Sequence, residues 1–188
     1  MNLIVRFFLR ARHWQIFLLI FGVFCVGQVV IMSSPPVRSP EDFWEAGLLL
    51  GVVMVLLFTL CFLAWFWSIG SFLSSIVQPA LRLKIGFFRF ALVYPALYIF
   101  AFIPFFLSLK PVLFAVIFPL HLFAMFCLFY SLYFVSKSLV LTETGKSASF
   151  YDYAGPFFLL WFFPIGVWII QPRINRLYAE RRNAEPFN

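Results

Sequence analysis

The sequence predicts an all-α, polytopic integral membrane protein, a helical bundle forming one membrane domain over residues 1–188. Three observations predict it. Hydrophobic residues make up 64% of the chain and charged residues only 11%, where a soluble domain carries about a quarter charged. The apolar residues fall in runs long enough to cross a hydrocarbon core of ~30 Å as helices. The charges collect between those runs, and twelve of the fourteen Lys and Arg residues, all but Arg38 and Lys110, can be placed on one side of a membrane. Phe alone supplies 29 residues, which leaves too little polar surface to cover a globule in water.

The first span covers about Trp14 to Met32, with Gln15 and Gln28 as its only strongly polar side chains. A helix of that length rises ~29 Å. Ahead of it Arg6, Arg10 and His13 recur at i, i+4 and i+7, which predicts a basic helical face resting on the membrane surface. Arg6, Arg10 and Arg12 before an apolar stretch imitate a secretory leader. The run is long for one, however, and no small-residue cleavage pattern follows, so a retained helix is expected. Ser33-Ser34-Pro35-Pro36 stops this helix. Ser39 is expected to cap the next, with Pro40 at its first position and Glu41 and Asp42 at its positive end.

The second span covers about Trp44 to Trp67, the two tryptophans placed for opposite headgroup belts. Ser68-Ile69-Gly70-Ser71 should weaken the helix as it leaves the membrane, and a basic connector with Pro79, Arg82, Lys84 and Arg89 follows. Phe87 to Leu107 forms the third span, with kinks expected at Pro95 and Pro104. Lys110-Pro111 makes a tight turn into the fourth, Val112 to Val135, kinked near Pro119. Ser136 to Asp152 is a polar connector. The apolar run Ala154 to Ile170 comes next, interrupted by Pro164-Ile165-Gly166. In the tail, Gln171 to Asn188, residues Ile174, Leu177 and Tyr178 share a helical face, and Arg176 with Glu180 and Arg181 with Glu185 have i, i+4 spacing.

The fifth apolar run carries the topology. With five crossings and the N-terminus inside, Lys and Arg divide eight inside to six outside. With four crossings and a re-entrant fifth segment they divide twelve to two, a far stronger positive-inside bias. Ala154–Ile170 is therefore expected to be re-entrant, with a basic cytoplasmic tail over 171–188. The other reading is a short full span. An irregular backbone at that depth needs protein or water around it.

Few residues could carry chemistry. His121 is the one clearly ionisable side chain deep in a span, and such groups serve as proton carriers or ligands. Together with Tyr94, Tyr98 and Gln28 it makes a candidate intramembrane polar site. The plainer reading is a neutral imidazole and interfacial tyrosines bonded between helices. Arg6, Arg10, Arg82, Lys84, Arg89, Arg173 and Arg176 are candidate contacts to lipid headgroups. Gly47 and Gly51 have the GxxxG spacing that lets another backbone approach, expected to serve packing within the chain.

No catalytic site, cofactor or metal site is expected. The zincin HExxH, the GxSxG elbow and the phosphate-binding GxxxxGK[ST] loop are all missing. Cys25, Cys61 and Cys127 show no ligand spacing. The net charge of +7 reads as membrane topology rather than nucleic-acid binding, because the cations flank spans and form no single stripe. The expected partners are a bilayer with anionic lipids and other membrane subunits or further copies of the chain. The expected role is non-enzymatic: a scaffold or partner-binding subunit of a bacterial inner (plasma) membrane, its N-terminus cytoplasmic. The alternative is a small transporter or oligomeric pore that uses His121 and the Pro164–Gly166 break.

Overall fold

A backbone in hydrocarbon satisfies its own polar groups most simply as a helix, and every regular element in the computed structural model, which describes residues 2–33, 40–108 and 114–184, is helical. In chain order these are α1 (Leu3–Arg10), α2 (His13–Phe17), a π-turn (Leu18–Gly22), α3 (Val23–Ser33) and α4 (Pro40–Ile76). A 3₁₀ turn (Pro79–Leu81), α5 (Ile85–Ser108), α6 (Phe114–Thr144), α7 (Phe150–Trp161) and α8 (Phe163–Ala184) complete them. Four helical stretches are long and apolar enough to cross a membrane: His13–Val30, Leu49–Ile76, Ile85–Phe102 and Ala115–Thr144.

Two helices outrun their expected ends. α4 continues through Ser68-Ile69-Gly70-Ser71 to Ile76, where Ile69, Phe72 and Leu73 are buried and Ser68 turns its hydroxyl back to the Ala64 carbonyl at 2.7 Å. A Cβ at Gly70 would overlap the Phe88 ring, so the glycine that weakens the helix locally also admits an aromatic side chain from α5. α6 continues nine residues past Val135, to Thr144. Ser136, Thr142 and Thr144 return their hydroxyls to carbonyls of their own helix, while Leu139, Val140 and Leu141 are buried. Gly145, at φ 65°, ends the helix in the left-handed conformation that glycine adopts without a Cβ penalty. The expected kink sites Pro95, Pro104 and Pro119 all lie inside continuous helix. The Ser39 cap and the Lys110-Pro111 turn fall outside the described residues.

The expected surface helix is divided. α1 ends at Arg10 and the chain is extended at Ala11 and Arg12, so His13 does not share a helical face with Arg6 and Arg10. Instead, its ring lies 4.6 Å from that of Trp168 in α8.

The fifth apolar run forms a helical hairpin. The helix breaks at Phe162 (φ −85°, ψ 60°), two residues before the start of the expected Pro164-Ile165-Gly166 interruption. Pro164 lies in the first turn of α8, where its missing N–H costs nothing. The Ile165 and Gly166 N–H groups both donate to the Phe162 carbonyl, at 3.0 and 2.9 Å. A Cβ at Gly166 would overlap the Leu159 carbonyl, and this missing methyl lets α8 turn back against α7. Both limbs open at the same end of the bundle, α7 where Tyr153 meets Tyr133 and α8 where Arg173 meets Glu143. The twelve residues of α7 rise ~18 Å, a little over half of a ~30 Å hydrocarbon core. At the tip Trp161 packs edge-on against Phe129 of α6 at 4.5 Å.

The core is aromatic. Trp65, Phe66, Phe88 and Phe134 are among the largest fully buried side chains, and Phe88 stacks on Phe134 at 4.2 Å between α5 and α6. Such pairs contribute ~0.5–1.5 kcal/mol beyond area burial. They fix the register of α5 against α6 at the end where α1, the 77–84 connector and the tail of α8 also gather.

Candidate functional site

At that end α8 supplies two amides, and α1 needs them. The last carbonyls of a helix have no partner within it. Gln171, fully buried, donates from Nε2 to the Phe8 and Ala11 carbonyls at 2.8 and 3.0 Å. Its Oε1 accepts the Trp65 indole N–H at 2.8 Å. Asn175, one turn on, donates from Nδ2 to the Leu9 and Ala11 carbonyls at 3.2 and 3.1 Å. One glutamine thus joins α1, α4 and α8.

An ion pair fastens the other side of α8. Arg173 grips Glu143 with two nitrogens, Nε on Oε1 at 2.8 Å and Nη2 on Oε2. Arg176 lies 3.6 Å from the same carboxylate and 3.8 Å from Glu180. Glu143 closes the α6 end of this fork, which fits the planar guanidinium.

Arg173, expected at the headgroups, lies in this ion pair. It is half-buried and committed to a carboxylate, and Arg176 shares that acid. Arg6, Arg10, Arg82, Lys84 and Arg89 are exposed and remain available to headgroups. Arg89 also sits 5.5 Å from the centre of the Trp67 ring, a position that gains cation–π attraction. The twelve cations outside Arg38 and Lys110 lie on α1, α5, α6 and α8 or in the connectors at Arg12, Arg82, Lys84 and Lys146, all toward this end, where the described acids Glu143, Asp152 and Glu180 also fall.

An aromatic belt marks the level of this end. Phe87 of α5 meets Tyr130 of α6 at 4.6 Å, Tyr130 meets Tyr133 at 5.8 Å, and Tyr133 meets Tyr153 of α7 at 5.5 Å. Lys137 is one turn beyond Tyr133. Its Nζ is 3.2 Å from the Tyr133 hydroxyl, 5.3 Å from that ring's centre and 5.7 Å from the centre of Tyr153. Lys137 is not among the expected headgroup contacts; Tyr133 and Tyr153 are each candidates for polar or headgroup contact by their places in the sequence, but their pairing is not. The i, i+4 spacing of Tyr133 and Lys137 was visible in the sequence, but the α7 partner was not.

Beside the belt, Asp152 closes the start of α7. Its Oδ2 accepts both the N–H and the hydroxyl of Ser149, each at 2.7 Å. These hydrogen bonds, the hydroxyl's first, hold the carboxyl below the usual aspartate range.

The candidate intramembrane site is assembled in part. Tyr98 Oη and His121 Nδ1 are 3.1 Å apart, and Tyr94 donates to the Leu120 carbonyl at 3.3 Å. Gln28 does not join them. It is exposed on α3, which packs on α4 and the π-turn. His121 faces outward from the bundle. A cavity of roughly 160 Å³ lies elsewhere, between α4, α5, α6 and the hairpin tip, with Phe62, Phe66, Phe129, Leu132 and Trp161 in its apolar wall. Neither His121 nor the Pro164–Gly166 stretch lines it. The Gly47–Gly51 pair shows no close approach within the chain: no described atom comes within 4 Å of a Cβ placed at either position. The backbone-close glycines are Gly166, against Leu159, and two that admit side chains, Gly27 (Met54) and Gly70 (Phe88).

No group of three or more His, Cys, Asp or Glu side chains among the described residues could hold a metal ion. Comparison with protein families, with curated proteins and with solved structures finds no match to this chain.

Proposed function

We propose that this chain is a non-enzymatic body of a bacterial inner membrane, which seats its basic end on an anionic cytoplasmic leaflet and packs with partner membrane helices. The observation that carries the reading is the gathering of cations from α1, the 77–84 connector, α5, α6 and α8 around one end of a Phe-packed bundle. Basic residues beside spans favour the cytoplasmic face. Each contributes ~1 kcal/mol of attraction to an anionic surface. α1 adds an amphipathic contact, with Leu3, Ile4 and Phe7 exposed beside Arg6 and Arg10, a composition suited to lying in the headgroup plane.

The transport alternative has less support. His121 does not line the cavity between α4, α5, α6 and the hairpin tip, and the break of the fifth segment is filled by Leu159 against Gly166. A four-crossing chain with a hairpin entering from the cytoplasmic side puts both termini in the cytoplasm. The test is a pair of reporter fusions, one at each end, in intact cells. Cytoplasmic activity from both supports the reading, and a periplasmic C-terminus overturns it. Proton or solute flux through reconstituted protein that His121→Ala abolishes, with folding intact, would favour the transporter instead.

A further inference from the structure

Lys137 is a half-buried cation with no carboxylate within ion-pair distance among the described residues. It lies between the rings of Tyr133 and Tyr153, on a helix otherwise buried at this level. Its depth follows from its neighbours. Phe88 stacks on Phe134 across antiparallel α5 and α6, so Lys137 is level with the start of α5 at Ile85. Tyr153 against Tyr133 puts it level with the start of α7. Helix starts and tyrosines mark the headgroup region. The stem of Lys137 is therefore among aromatic side chains while its ammonium reaches that layer. One ammonium donor meets the Tyr133 hydroxyl and two remain. Below it the seam between α6 and α7 is apolar, formed by Phe129, Phe157 and Trp161.

We infer that Lys137, Tyr133 and Tyr153 form a discrete site for the phosphate of an anionic phospholipid, whose acyl chain lies along the α6–α7 seam. The site rests on the reading that this end faces an anionic leaflet, and adds one specific position to it. Charge decides the occupant. An unpaired ammonium at headgroup depth draws an anion, and the seam below accepts hydrocarbon. A phospholipid brings both parts, whereas free phosphate brings only the first.

The test uses the full chain reconstituted in phosphatidylcholine vesicles doped with phosphatidylglycerol, with retained lipid counted by native mass spectrometry after mild detergent extraction. Lys137→Gln lowers retained phosphatidylglycerol about fivefold, the equivalent of ~1 kcal/mol for one basic residue at an anionic surface. Lys137→Arg restores it. Lys84→Gln, which removes an exposed cation from the same end, leaves retention within about twofold of the unaltered chain, because diffuse attraction acts at the bilayer surface and holds no single lipid through extraction. Tyr153→Leu keeps the cation, removes one wall, and lowers retention in the same direction, so the test survives if Lys137→Gln fails to fold. Equal losses from Lys84→Gln and Lys137→Gln would overturn the site in favour of diffuse attraction. Unchanged retention in both Lys137→Gln and Tyr153→Leu would also overturn it, as would displacement of the lipid by millimolar inorganic phosphate. If the unaltered chain retains no more phosphatidylglycerol than phosphatidylcholine, the anionic-leaflet reading itself fails. If that preference persists in Lys137→Gln, only the site does.

Discussion

A buried amide and a hydrogen-bonded carboxylate set the clearest constraints at the scale of single residues. Gln171 is fully enclosed with three partners, two carbonyls of α1's C-terminal region and the Trp65 indole. Its replacement by Leu leaves the Phe8 carbonyl and the Trp65 indole without a partner, while Asn175 still reaches the Ala11 carbonyl, at ~1–3 kcal/mol for each buried orphan. The expected result is a loss of about 2–4 kcal/mol in denaturant unfolding and earlier proteolysis of the α1 region. Asp152 has a pH signature. Its carboxyl is held below the ordinary aspartate pKa by Ser149, so the contribution to stability is present above the unfolded-state value. It is lost as pH falls through the folded-state value, in the range below about 3.9. Asp152→Asn should flatten the stability profile in that acid range, as read by thermal unfolding between neutral and acid pH. The Ser149-x-x-Asp152 spacing is a local capping signature, but the role of Gln171 was not legible in the sequence, where it was one polar residue beside a proline and the partners of its amide lay more than a hundred residues away.

The hairpin is the decisive element. Its break needs a helix end at Phe162 and close approach of Gly166 to the Leu159 carbonyl. Gly166→Ala puts a methyl group into backbone, which cannot move aside as a side chain can. It is expected to cost about 1–3 kcal/mol through overpacking and to increase cysteine labelling at an introduced Leu159→Cys. Glu143→Gln tests the opposite limb. It removes the charge that Arg173 and Arg176 share, and should lower stability by about 1–2 kcal/mol, scaled down from a fully buried pair for partial exposure. Lys146→Gln, on an exposed residue just past α6, should change stability by less than about 0.5 kcal/mol. The Pro-Ile-Gly interruption was readable as a break. Its exact place was not, because Pro fits an α-helix's first turn as well as it disrupts the middle.

For the whole molecule, composition and spacing determined the class. Residues 64% hydrophobic and 11% charged leave no soluble alternative, and apolar runs of that length form spans because backbone polar groups must pair internally in hydrocarbon. The four spans emerged near their expected positions for that reason. Helix ends moved where tertiary packing extended them, as in α4 and α6, since local propensity is weaker than burial. Tertiary structure alone decided three further matters. It set the point at which the fifth run, expected from the charge count to re-enter, folds back, because a steric fit between Gly166 and Leu159 depends on geometry that no periodicity encodes. It turned Arg173 from a surface cation into the partner of Glu143, because that acid lies thirty residues away on another helix. It also separated Gln28 from Tyr98 and His121, since sharing an apolar environment does not make helices neighbours. The sequence by itself set where the chain meets lipid, through transfer free energies that act residue by residue. Which polar groups meet each other depends on pairs of distant residues, and only the packed fold brings those together.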